Sequence, residues 1–198
     1  MKIKICLSIL AGMLYNAWIL AFWLNPKIVN SKLLSGLGAR NQPYHQVFIA
    51  TDVLCGIVCL VLIYSIFQQI KKAKLLLLAW IGFAITTLFA ALFATETADF
   101  KAGISDLILD PIDFLHDIMS VFTLLFLILA IALSVWKYRS WDYLLLGIIF
   151  FVTCLIAFVE GIAPGTFGPR GQQVNSIIAG IWMIRITWTL LHEPQQVS

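Results

Sequence analysis

Apolar residues run through this chain in long blocks, and polar residues collect between the blocks rather than alternating within them. A helix needs about 20 mostly apolar residues to cross the hydrocarbon of a bilayer. Six blocks qualify, at about 5–24, 45–68, 75–95, 112–136, 141–161 and 174–191. The pattern predicts an all-α polytopic membrane protein, a six-transmembrane-helix bundle. Two turns between blocks are short and basic, Lys71-Lys72-Ala73-Lys74 and Lys137-Tyr138-Arg139-Ser140. The other connections, 25–44, 96–111 and 162–173, are longer and rich in Gly, Pro, Asn or Asp. None has room for a soluble domain and no internal repeat stands out, so residues 1–198 read as a single transmembrane domain.

Composition points the same way. The chain is 61% hydrophobic and 12% charged, where a soluble domain carries about 25% charged residues. Too few charges remain to cover a globule in water, and lipid is the solvent that fits. No basic stripe with interleaved aromatics marks a nucleic-acid partner. Met1-Lys2-Ile3-Lys4 looks like the start of a signal peptide, but the apolar stretch runs on to Leu24 without a small-x-small cleavage site. Secretory apolar regions span about 7–15 residues, so a retained span is expected. Cys6, Cys55, Cys59 and Cys154 all lie inside apolar blocks, where packing is the expected role.

Charge placement sets an expected orientation, because basic residues collect on the cytoplasmic side. With both termini cytoplasmic, Lys2, Lys4, Lys71, Lys72, Lys74, Lys137 and Arg139 lie inside, and Lys27, Lys32, Arg40, Lys101 and Arg170 lie outside. The membrane expected is the plasma membrane or the bacterial inner membrane. Of the ten acidic residues, Asp52, Glu96, Asp99, Asp106, Asp110, Asp113, Asp117 and Glu160 then fall at the outer side, with His45 and His116 among them.

These outer groups are the candidate site. His45 and Asp52 are two helical turns apart, about 10 Å along one face. Asp113, His116 and Asp117 follow i, i+3, i+4 spacing and share a face, which Ser120 continues. Asp52 lies deepest in its apolar block, where an uncompensated charge costs about 2.5–3.5 kcal/mol on insertion scales. It needs a partner, a proton or an aqueous cavity, and His45, Arg40 and His116 are candidates for the partner. Two chemistries suit the group. His45, His116, Asp113 and Asp117 are the ligand types for a divalent metal such as zinc. Alternatively, a His/Asp pair from His45, Asp52, His116 and Asp117 serves as general acid and base. Arg40, Asp113, Glu160, Arg170 and Gln172 are candidate ligand-binding residues around it. A hydrogen-bonded network that only fixes helix packing stands beside both readings.

Other positions read as structural. Asp110-Pro111-Ile112-Asp113 supplies a capping oxygen, a proline at the first helical position and an acid in the first turn. Asn41-Gln42-Pro43 is expected to start the second span similarly. Asn16 is expected to hydrogen-bond between helices. Gly82, Ala84, Ala90, Ala91 and Ala94 keep the third span thin for close packing. Arg185, inside the last span, is expected to snorkel or to pair with Asp142. Trp23, Tyr44, Trp136 and Trp141 sit where interfacial rings belong.

Leu34-Ser35-Gly36-Leu37-Gly38-Ala39, followed by Gln42-Pro43-Tyr44-His45 and Phe48, resembles the bacterial six-span membrane family known as domain of unknown function 998. There a Ser-x-Leu-Gly-Ala-like loop follows the first span. Gly171-Gln172-Gln173 and Trp182 are similar to that family's Gly/Gln-containing start and Trp-bearing last helix, although an arginine that often follows the Gln is absent. A more distant similarity is to the DRAM/Frag-type six-span proteins, and it implies lipid handling without implying catalytic residues. The leading expectation is recognition or handling of a lipid or other amphiphile through an outer-facing polar pocket. An intramembrane hydrolase or transferase acting on lipid through His45, Asp52, His116 and Asp117 is the alternative from a different class. A third is a non-catalytic assembly partner of another membrane protein, or a homo-oligomer.

Overall fold

The computed structural model describes residues 1–31, 34–97, 110–162 and 166–192. Lys32, Lys101, Asp99, Asp106, Pro164 and Glu193 lie outside them. The described residues form helices α1 (Lys2–Tyr15), α2 (Ala21–Leu24), α3 (Pro26–Ser31), α4 (His45–Ser65), α5 (Phe67–Ile70), α6 (Lys74–Leu92), α7 (Pro111–Tyr138), α8 (Trp141–Ile162) and α9 (Arg170–His192). Single 3₁₀ turns cover Ala17–Leu20 and Leu34–Gly38. No strand occurs among the described residues. Five helices are long and apolar enough to cross a membrane, and α1 with Ala17–Leu24 makes a sixth when the bent pair counts as one span. The protein is a multi-pass membrane protein.

Two predicted spans are not continuous. The first bends by 49° between Tyr15 and Ala17. Asn16 sits at the bend with φ −103° and ψ 17°. Its amide donates to Gly12 O at 2.8 Å and to Ser176 O of α9 at 3.0 Å. The expected interhelical bond exists, and the same residue breaks the helix. The second span ends at Ser65, and Ile66 at φ −105° turns the chain into the short α5. Its start also differs from expectation. No side chain caps α4, and Tyr44 takes a left-handed φ of 60° instead. The expected cap of α7 is present, because Asp110 accepts from the Asp113 N–H at 3.2 Å behind Pro111.

The six spans pack in chain order. Each long helix lies against the next, and α9 returns to pack on α1, closing a ring. The end of the ring with the basic turns is filled. Trp80 and Trp182 meet edge to face at 5.2 Å, and the Trp182 N–H reaches Ser134 Oγ at 3.1 Å. Arg185 pairs with Asp142, as expected, and also donates to Thr189. Leu54, Ile57, Leu78, Leu125, Leu129 and Ile148 are exposed around the outside, where apolar groups meet lipid tails. Trp23, Tyr44, Trp136 and Trp141 are exposed as interfacial rings would be.

The other end of the ring carries a small second core. Trp18, Ala21, Ile28, Val29, Leu37 and Phe48 pack there, so the chain between the first span and α4 folds down over the bundle. Two side chains of α9 tether it. Gln172 accepts from the Leu34 N–H, and Gln173 donates to Val29 O at 2.7 Å.

Candidate functional site

The polar residues predicted for the loop-rich end divide into two groups. Those of the first group hold helix ends and loops. Asp113, buried, accepts from the Glu96 N–H at 3.0 Å. Glu96 pairs at 2.9 Å with Arg40, and both are about half exposed. His45 places Nδ1 2.9 Å from Gln42 O and so closes the first turn of its own helix. Buried Glu160 accepts from the Phe167 N–H at 2.7 Å. Arg170 is exposed at the start of α9, beside a separate surface hollow that includes Phe167 and Gly168. These bonds tie Arg40, Asp113 and Glu160 to neighbouring loops and helix ends, whereas Gln172, bonded to the Leu34 N–H, also lines the cavity described next.

The second group surrounds a cavity of about 230 Å³ just beneath the folded-down segment. Every span contributes a wall residue, namely Tyr15, Asp52, Ala91, His116, Ala157 and Asn175. The 3₁₀ turn adds Leu34, Ser35, Leu37 and Gly38. Asp52 and His116 therefore share one cavity, while His45 and Asp117 are not on its wall. Helix geometry accounts for Asp117, which follows His116 and so projects about 100° further round α7. Asp52 faces the cavity because it lies two turns inside α4, with Phe48 and Ile49 of the same wall preceding it.

Several groups of the wall have unmet hydrogen-bonding capacity, Asp52, His116 and Asn175 among them. The Asp52 carboxylate has no hydrogen-bond partner in the protein among the described residues. His116 Nδ1 lies 2.8 Å from Ala90 O. A carbonyl only accepts, so Nδ1 carries the proton and Nε2 of the neutral ring is left as an acceptor. Asn175 donates to Cys154 Sγ at 3.1 Å, and its buried Oδ1 has no donor. Turned end for end, the amide would let Oδ1 accept from the Cys154 S–H and leave its NH2 group unpaired instead. Buried polar atoms are normally hydrogen-bonded, and one left over calls for an explanation.

Aromatic and apolar groups complete the wall. Tyr15 is held edge-on against Phe83 at 5.3 Å. The Trp18 N–H is fixed by Ser176 Oγ at 2.8 Å and Asn16 Oδ1 at 3.2 Å. Sequence reasoning missed both rings, as well as the turn at 34–38, as parts of a site. The available signal was Asn16, a polar residue in the middle of an apolar block and next to both rings.

Among the described residues, no three His, Cys, Asp or Glu side chains group closely enough to hold a metal ion. His45, His116, Asp113 and Asp117, the set expected for zinc, are all described and form no such group.

No curated protein and no solved structure matches the chain. The more distant likeness to DRAM/Frag-type proteins gains no support. One family does match, described as "Protein of unknown function (DUF998)", over residues 9–190. That range takes in every cavity-lining residue, from Tyr15 to Ser176. By this match, and in agreement with the loop and last-helix motifs of the sequence, the chain belongs to the DUF998 family of membrane proteins.

Proposed function

We propose that this single-domain bundle binds the polar part of a lipid or other amphiphile in the cavity between its six spans. The observation that carries the reading is the cavity wall, where the Asp52 carboxylate and His116 Nε2 stand unpaired among apolar and aromatic side chains. Ligand sites are mostly apolar concavities with a few convergent polar groups. An ionisable residue within a membrane span most often faces such a cavity and marks function. The basic turns support an orientation with both termini cytoplasmic in a plasma or bacterial inner membrane, which places the cavity towards the outer side.

The test is to purify the protein in a neutral detergent, extract it, and identify retained amphiphiles by mass spectrometry. Ser120 lies on the wall, and Ser120→Leu adds bulk there. Wild type should retain an amphiphile at about one per chain, and the filled variant should lose it. Equal retention by both proteins would remove the cavity from consideration. A second reading, acid–base catalysis on a bound lipid, draws on the His116 tautomer, since a ring whose Nδ1 is held by a carbonyl presents Nε2 as a base. Conversion of a retained lipid that stops in His116→Gln would favour it.

A further inference from the structure

Resting on the reading of the cavity as an amphiphile site, we infer that its ligand is cationic, an alkylammonium amphiphile whose charged head sits between Asp52 and the rings of Tyr15, Trp18 and Phe48. Three properties of the wall point to this class. First, the unpaired carboxylate is Asp52, and no lysine or arginine lines the cavity among the described residues. Arg40 is occupied by Glu96, and Arg170 lines a different hollow. An anionic head group would meet uncompensated like charge. Second, aromatic faces attract cations through their quadrupoles, and rings gathered around a cavity favour quaternary ammonium groups in particular. Here Tyr15 and Trp18 are already fixed by their contacts with Phe83, Ser176 and Asn16, so little ordering is required on binding. Third, the cavity is small. At about 230 Å³ it falls below the roughly 300–1,000 Å³ of ordinary small-molecule sites. It suits a head group with the start of one chain and not a whole two-chain lipid. His116 Nε2 adds an acceptor for an N–H group of a primary amine.

The test titrates the full-length protein, in a neutral maltoside detergent, with four probes of equal chain length by calorimetry. The probes are octylammonium, octyltrimethylammonium, octyl sulfate and octanol. The ammonium probes should bind near one per chain, and octyl sulfate should not. Asp52→Asn should weaken the ammonium probes on the order of ten- to a hundredfold, the range for a lost charged partner. Ser120→Leu, which leaves the carboxylate in place, should weaken them as well. Binding of octyl sulfate or octanol as tight as that of the ammonium probes would overturn the cationic class. If Ser120→Leu abolished that binding, the cavity reading would stand without it. Undiminished ammonium binding in Asp52→Asn would also overturn the class. Failure of all four probes would overturn both readings.

Discussion

Gly12 of α1 and Gly180 of α9 meet backbone to backbone, so that a Cβ built on Gly12 would lie 3.2 Å from the Gly180 Cα. Small residues let membrane helices approach in this way, because lipid supplies no hydrophobic force to press them together. The contact brings Asn16 within reach of Ser176 O, one turn of α9 before Gly180. A Cβ on Gly180 would lie 2.8 Å from the Asn16 amide nitrogen, which is already held by two carbonyls.

Gly180→Ala should therefore push the Asn16 amide out of place and cost about 1–3 kcal/mol, the range for overpacking. Gly180→Leu should cost more, by forcing α1 and α9 apart. Melting midpoints in detergent give the comparison with wild type. An unchanged midpoint for the leucine variant would mean that the two helices do not pack as described.

Asp52→Asn should leave the protein at least as stable as wild type in detergent, since it removes an unpaired charge from an apolar span. The carboxylate has no protein hydrogen bond to lose among the described residues. The amide cannot supply a negative charge, so any role that needs the charge should disappear while the fold persists. A chromosomal mutant with a null-like phenotype and a normally folded protein is the expected pair of results. Wild-type growth and lipid composition would instead leave Asp52 without a charged role.

Asn175→Leu should leave the stability of the ligand-free protein within about 1 kcal/mol of wild type, since losing the weak bond to Cys154 Sγ is offset by removing a buried oxygen that has no donor. The same change should weaken retention of the copurified amphiphile. Chemical unfolding of delipidated protein is the appropriate measurement. A loss of 2 kcal/mol or more would show that the oxygen is bonded in the empty protein, most simply by water.

Orientation can be tested with single cysteines in a background lacking Cys6, Cys55, Cys59 and Cys154. An impermeant reagent applied to intact cells should label positions 30 and 168 and leave 73 and 138 unlabelled. Outside labelling at 73 would invert the molecule and turn the cavity towards the cytoplasm.

The hydropathy blocks revealed the long helices because each apolar run has to satisfy its own backbone within lipid. Asp110-Pro111 showed where α7 begins, since a cap and an N-terminal proline act locally. Asp52 was recognisable for a similar reason, as a charge deep in an apolar run. The cavity itself was not legible. Tyr15, Trp18 and Phe48 are as apolar as their lipid-facing neighbours, and hydropathy does not separate a wall facing protein from one facing lipid. The break at Asn16 was also hidden, because it depends on a carbonyl of α9 that is 160 residues away in the chain. His45 and Asp117 looked equal to His116 by residue type. Only the rotation of α7 and the first turn of α4 set them apart.

The ring closes through α1 and α9, the first and last spans along the chain. Helices emerging one at a time from the ribosome can each dock on the one made just before, so five of the six joints are available during synthesis. The seam at Gly12 and Gly180 has to wait for α9, and so does the wall that Asn175 and Ser176 contribute. Until that final docking, the face carrying Asp52 and His116 lies open along the side of an incomplete bundle. Binding competence should thus arise at the last step of biogenesis and not grow by degrees. A lesion at the seam should leave a membrane-inserted chain that binds nothing and offers an open, polar-lined flank to quality-control proteases.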